Sequence, residues 1–153
     1  MTDSKGKRKE YLSVKDLQKL LDSCKLHLRQ VDEVWPNIYI GNVAVAQNKT
    51  TLLKLADDST HFDLDVYFQT AADFIHKALK SPDGKVLVHC IMGMSRSSTL
   101  VLAYLMIHHH LPLKLALQKL IQKRAIYPNR NFLALLLDLD LQLKRKKETC
   151  QIL

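Results

Sequence analysis

The stretch from Lys85 to Ile107 constrains this chain most, because it dictates three backbone states in succession. Val86-Leu87-Val88 is a short apolar run without polar alternation, the pattern of a strand buried on both faces. His89-Cys90 follows, then Ile91-Met92-Gly93-Met94-Ser95-Arg96-Ser97, and from Ser98 to Ile107 the residues form an unbroken helical pattern. Strand, tight loop and helix start in that order make an anion cradle. The first N–H groups of a helix have no intrahelical acceptor, and the positive end of the helix dipole faces the same loop.

Within that loop the residue types point to one chemistry. Cys90 stands just past the strand, where a helix N-terminus and the Arg96 guanidinium both favour a thiolate. A thiolate is nucleophilic at neutral pH, which makes Cys90 a candidate covalent catalyst. Arg96 carries a planar fork that can hold two phosphoryl oxygens, and the amides of Ile91, Met92, Gly93, Met94, Ser95 and Arg96 can take the remainder. Gly93 falls where the backbone must turn sharply. Ser97 brings a hydroxyl near the sulfur to help the thiolate depart, and His89 orients the loop by hydrogen bonding without transferring a proton. A lone cysteine beside a helix is more often structural. Cys, Gly, Ser and Arg at fixed spacing between strand and helix reverse that preference.

His-Cys-x-x-Gly-x-Ser-Arg-Ser, from His89 to Ser97, resembles the signature of the cysteine-based dual-specificity protein phosphatases. The resemblance runs from about Val31 to Leu143 and is strongest toward the small atypical enzymes without a kinase-docking domain. It includes Val34-Trp35-Pro36-Asn37-Ile38-Tyr39-Ile40-Gly41 near the start and Pro128-Asn129-x-x-Phe132 near the end. It implies an α/β fold, a central sheet flanked by helices, and hydrolysis through a cysteinyl-phosphate on Cys90. It also implies a carboxylic acid on the loop Ala56 to Phe62, matched to Asp58 with Asp57 as the neighbouring alternative. No metal and no cofactor are implied. The expected partners are phosphorylated proteins, on phosphotyrosine and on phosphoserine or phosphothreonine. Ile91, Met92 and Met94 give the loop apolar variable positions without the lysines that an inositol lipid would require.

One departure from the family pattern stands out. Lys54-Leu55 runs directly into Ala56-Asp57-Asp58, where members of the family carry two further strands. The sheet is therefore expected to be reduced to Ile38–Ile40, Val86–His89 and the segment from Val31 to Val34. The stretch from Val43 to Leu55 reads as helix, and Val86–Val88 becomes an edge. A shortened variant fits this pattern. It motivates a second reading, a catalytically impaired protein that binds phosphorylated partners, which turnover of a small aryl phosphate separates from the first.

Around this centre the chain divides into an N-terminal extension (1–25), a catalytic domain (26–143) and a basic tail (144–153). Met1 to Lys9 reads as disordered, and Tyr11 to Leu28 as a helix capped by Ser13. Further helices are predicted over Asp63–Leu79, Leu113–Ala125 and Asn131–Leu143, with a turn at Ser81-Pro82-Asp83-Gly84. His108, His109 and His110 lie next to each other on a helix and point in different directions, so they read as helix-terminal cations and not as metal ligands.

Apolar content of 47% and charged content of 25% are those of a soluble globular domain. The net charge of +8 suits an acidic partner, but the basic runs Lys5–Lys9 and Lys144–Lys147 lack aromatic interleaving and argue against nucleic acid. The three cysteines, Cys24, Cys90 and Cys150, are too scattered for a disulfide framework. With no N-terminal apolar segment and no myristoylation start, the expected location is cytoplasmic, with the nucleus also open. Cys150-Gln151-Ile152-Leu153 has the Cys-a-a-X form behind a polybasic run, so prenylation of Cys150 would bring the protein to membranes.

Overall fold

Val86-Leu87-Val88 forms the strand its sequence demands, and the rest of the sheet is arranged around it. In the computed structural model the described residues are 12–42, 51–53, 64–90 and 92–152, of which 51–53 and 148–152 are described by their backbone alone. The elements run α1 (Val14–Asp22), β1 (Val31–Trp35), β2 (Ile38–Gly41), β3 (Thr51–Leu53), a 3-10 turn (Leu64–Tyr67), α2 (Phe68–Lys80), β4 (Val86–His89), α3 (Arg96–His108), α4 (Leu113–Ile121) and α5 (Arg130–Ile152). Among the described residues the sheet has four strands in the order β1-β2-β4-β3. β1 is antiparallel to β2, while β4 pairs in parallel with β2 on one side and β3 on the other.

Two expectations are corrected here. Thr51–Leu53 is a strand and not part of a helix, because its backbone finds partners along Val86–Val88. For the same reason β4 is interior and not an edge. An apolar run of β-branched and aliphatic residues is suited to that position, buried on both faces and bonded on both sides.

β1 and β2 join through Pro36-Asn37, with Asn37 in the left-handed region at φ 66°. That conformation is tolerated by asparagine, and the Asn37 N–H donates to the Glu33 carboxylate at 3.0 Å. α3 is apolar nearly all round, from Leu100 to Met106, and every one of those residues is buried. It runs through the middle of the molecule, packed against α2, α4, α5 and β4.

α1 begins with a reciprocal cap between Ser13 and Asp16 and contributes Leu17 and Leu21 to the same core cluster as the sheet and α3. The boundary expected at residue 25 therefore does not divide the packing. The predicted helix to Leu28 is also too long, since Ser23 caps α1 and Leu26 and Leu28 are exposed. At the other end α5 continues to Ile152, so the basic run Lys144–Lys147 is helical. Pro112 precedes α4 without a capping side chain, and Asp140 of α5 takes that role by accepting from the Leu113 N–H at 3.2 Å. Residues 1–11, which include the stretch expected to be disordered, lie outside the described residues.

Candidate active site

β4 ends at His89, opposite Gly41 of β2, and delivers Cys90 to the carboxyl edge of the sheet. The Cys90 N–H donates to the Gly41 carbonyl at 3.4 Å, so the strand pairing sets where the thiol begins. Six residues later α3 starts at Arg96, which is 3% exposed. Ser95, the residue before it, offers no side-chain cap to the helix, which leaves the first N–H groups of α3 facing the loop.

Cys90 is 9% exposed, and its sulfur lies 3.2 Å from the Ser97 hydroxyl. Burial pushes its pKa upward. The Ser97 hydroxyl and the N–H groups of Ser97, Ser95 and Met94 push the other way, and their combined effect holds it below the ordinary thiol value. A sulfur ringed by donors is a site built for negative charge.

The loop keeps its shape through partners outside it. Gly93 adopts φ 67°, and an added Cβ would fall 2.5 Å from Arg124 Nη2 and 2.8 Å from the Gly41 carbonyl oxygen. The Met94 carbonyl accepts from the Tyr127 N–H at 2.9 Å. The Ser95 hydroxyl accepts from the Asn129 N–H at 2.9 Å, while its carbonyl accepts from the Ser98 and Thr99 hydroxyls. Asn129 in turn caps α5 by accepting from the Phe132 N–H at 2.9 Å. The phrase Pro128-Asn129-x-x-Phe132 thus joins the start of α5 to the cradle.

The family model of the dual specificity phosphatase catalytic domain matches residues 11–142. The chain belongs to that family. Dual specificity protein phosphatase 26 of Homo sapiens is 42% identical over 169 residues, covering 90% of this chain and 80% of that protein. Its Mus musculus counterpart is 41% identical over the same length. Among solved structures, human DUSP28 has a TM-score of 0.64 at 22% identity, covering 76% of this chain and 96% of that one. DUSP15 has a TM-score of 0.62 at 25% identity, covering 78% and 95%. Family and fold together make this dual-specificity phosphatase a protein phosphatase.

Of the residues singled out from sequence, the dual-specificity phosphatase fold brings Cys90, Gly93, Met94, Ser95, Arg96 and Ser97 into one loop and helix start. His89 is half-buried at the strand end, and Met92 stands 55% exposed on the loop's outer side. Ile91, Asp57 and Asp58 lie outside the described residues, as does the side chain of Cys150. Reading the sequence missed Arg124, fully buried against the loop. The predicted helix to Ala125 hid it as one more basic residue of a final turn. The one available signal was a charge followed directly by Ala125, Ile126 and Tyr127, just before Pro128.

Two of the three consecutive histidines, His108 and His109, have assignable partners. His108 pairs with Asp73 at 2.9 Å and stacks on His76, while His109 meets the Tyr104 hydroxyl at 2.9 Å and packs tilted against the Trp35 ring. They serve the packing of α2 and β1 against the end of α3.

Proposed function

We propose that this chain hydrolyses phosphate monoesters of phosphotyrosine and of phosphoserine or phosphothreonine in proteins, through a cysteinyl-phosphate on Cys90. The observation that carries this reading is the ring of donors around one thiol at the end of a buried strand. The Cys90 thiolate attacks phosphorus, and the bond to the leaving oxygen breaks as Asp58 gives that oxygen its proton. Arg96 and the loop amides from Ile91 to Arg96 bind the three equatorial oxygens as charge spreads over them. Water then attacks phosphorus, the Asp58 carboxylate takes its proton, and the sulfur–phosphorus bond breaks. Ser97 donates to the departing thiolate, and inorganic phosphate is released. His89 orients the loop. The exposed Met92 and the absence of lysine among the loop's variable positions favour a phosphoprotein over a polyanionic lipid headgroup.

This reading takes the chain as a shortened member of its family, a view supported by the lengths matched to one relative. Ninety per cent of 153 residues is about 138, and the match to the Homo sapiens relative spans 169, so some thirty positions of that relative have no counterpart here. A gap between Leu55 and Ala56 would bear on the acid loop more than on the thiol. Leaving-group dependence therefore separates the two halves of the machinery. Phosphoryl transfer from p-nitrophenyl phosphate, whose leaving group needs little protonation, tests Cys90, and an alkyl phosphopeptide tests Asp58.

Turnover abolished in Cys90→Ser, with both proteins melting cooperatively, supports the enzyme reading. A folded wild type without turnover of p-nitrophenyl phosphate would overturn it.

A further inference from the structure

Among the described residues, Arg96 and Arg124 both meet the phosphate loop, and Arg124 lies outside the motif. Arg124 follows α4 and is 0% exposed. Its Nε donates to the Gly93 carbonyl at 2.9 Å, Nη2 to the Met92 carbonyl at 3.4 Å, and Nη1 to Oδ2 of Asp32 on β1 at 2.8 Å. A buried guanidinium is costly unless its donors are used, and here each of its three nitrogens has an acceptor.

The consequence for the loop follows from peptide geometry. In a planar trans unit the carbonyl and the following N–H point in opposite directions. With the Gly93 carbonyl turned out toward Arg124, the Met94 N–H must turn in. With the Met92 carbonyl turned out, so must the Gly93 N–H. The Tyr127 N–H does the same for Ser95 by taking the Met94 carbonyl. Met94 and Ser95 are two of the three residues whose N–H groups act on the Cys90 sulfur.

We propose that Arg124, locked in place by Asp32, is a positioning residue: it fixes the Met92–Gly93 and Gly93–Met94 peptide planes so that their N–H groups face the phosphoryl group and the Cys90 sulfur. Gly93 is the matching half of this arrangement, since a side chain there would occupy the space of the Arg124 fork. The role rests on Cys90 being the nucleophile, but it concerns the thiol itself and can be read without turnover.

The test is the pH dependence of Cys90 alkylation by iodoacetamide, followed by mass spectrometry of the Cys90 peptide, with and without inorganic phosphate. Electrostatics and positioning predict opposite signs in Asp32→Asn. Removing the carboxylate leaves more positive charge near the loop, which by charge alone would move the alkylation midpoint to lower pH. A loosened Arg124 moves it to higher pH. Arg124→Lys keeps the charge and loses the fork, so charge alone predicts no change and positioning predicts an upward move. The expected result is an upward move in both variants, with phosphate protecting Cys90 about tenfold less well than in the wild type. Melting curves accompany each variant, and Asp32→Asn decides if an Arg124 variant does not fold. Midpoints unchanged or lowered in folded Asp32→Asn would overturn the proposal. A wild type that alkylates at depressed pH yet turns over no substrate would count against the enzyme reading alone.

Discussion

Replacing Ser97 with alanine should convert this phosphatase into one that stalls after its first step. The Ser97 side chain is fully buried, and its hydroxyl is 3.2 Å from the Cys90 sulfur, a short contact for an atom of that size. The substitution keeps the Ser97 N–H, the start of α3 and nearly all of the volume, so it removes one donor and little else. A hydrogen bond to a charged group is worth about 1.5–3 kcal/mol. At about 1.4 kcal/mol per tenfold, the loss should slow departure of the thiolate by about 10- to 150-fold. The attacking step suffers less, because a less stabilised thiolate is a better nucleophile. The cysteinyl-phosphate should accumulate. Stopped-flow mixing with p-nitrophenyl phosphate would then give a burst of nitrophenolate equal to the enzyme present, followed by slow steady turnover. Acid quenching would leave phosphate on the Cys90 peptide. An Ser97→Ala enzyme with unchanged kcat and no burst would show that the hydroxyl does not act on the leaving sulfur.

The remaining predictions concern stability and pH. Because the folded protein holds the Cys90 thiol below its ordinary value of 9.0, the folded state prefers the deprotonated form, and the resulting stabilisation is fully present above that value and lost as pH falls through the folded pKa. The Tm difference between wild type and Cys90→Ser should thus shift in favour of the wild type as pH rises toward 9.0, and a flat difference would count against a depressed thiol. Gly93→Ala must hold an L-residue at positive φ, which costs about 1–2 kcal/mol before its clash with Arg124 and the Gly41 carbonyl is added, so chemical denaturation should show a loss of at least that size together with weakened phosphate binding. Asp140→Ala removes the cap of α4 and the partner of Lys144, with an expected loss of about 1–2 kcal/mol in the same experiment and no change in Cys90 alkylation. Burial, then the neighbouring His108, holds His76 below the ordinary histidine value, and burial acts likewise on His109; the unfolded chain therefore binds more protons, and Tm should fall as pH drops below about 6.5, less so in His109→Gln.

What could be read in advance divides along the reach of each interaction. β4, the loop and α3 were legible because an apolar run, a glycine, and a helical pattern each act within a few residues. Ser13 was legible as a cap for the same reason. β3 was not. Leu52, Leu53 and Leu55 form a plausible helical face, and only the backbone of Val86–Val88, more than thirty residues away, makes Thr51–Leu53 a strand. The end of α4 was missed because nothing in Gln122-Lys123-Arg124-Ala125 stops a helix by itself. The chain leaves it there so that Arg124 can reach Gly93 and Asp32. At the site, residue type and spacing marked Cys90 and Gly93 to Ser97, which the structure gathers at one loop and helix start, whereas Arg124, which reaches that loop from outside, carried no local mark.

The connection between α4 and α5 has a consequence for how such chains should be counted. A protein ending after Ile121 would retain every letter from His89 to Ser97 and would pass any search for the motif. It would lack the Arg124 fork, the Tyr127 N–H on Met94 and the Asn129 N–H on Ser95, which lie 31 to 34 residues further on than the loop atoms they hold. A chain broken in that connection would therefore keep the signature and lose all three holds on the loop, so the signature by itself does not mark a competent enzyme.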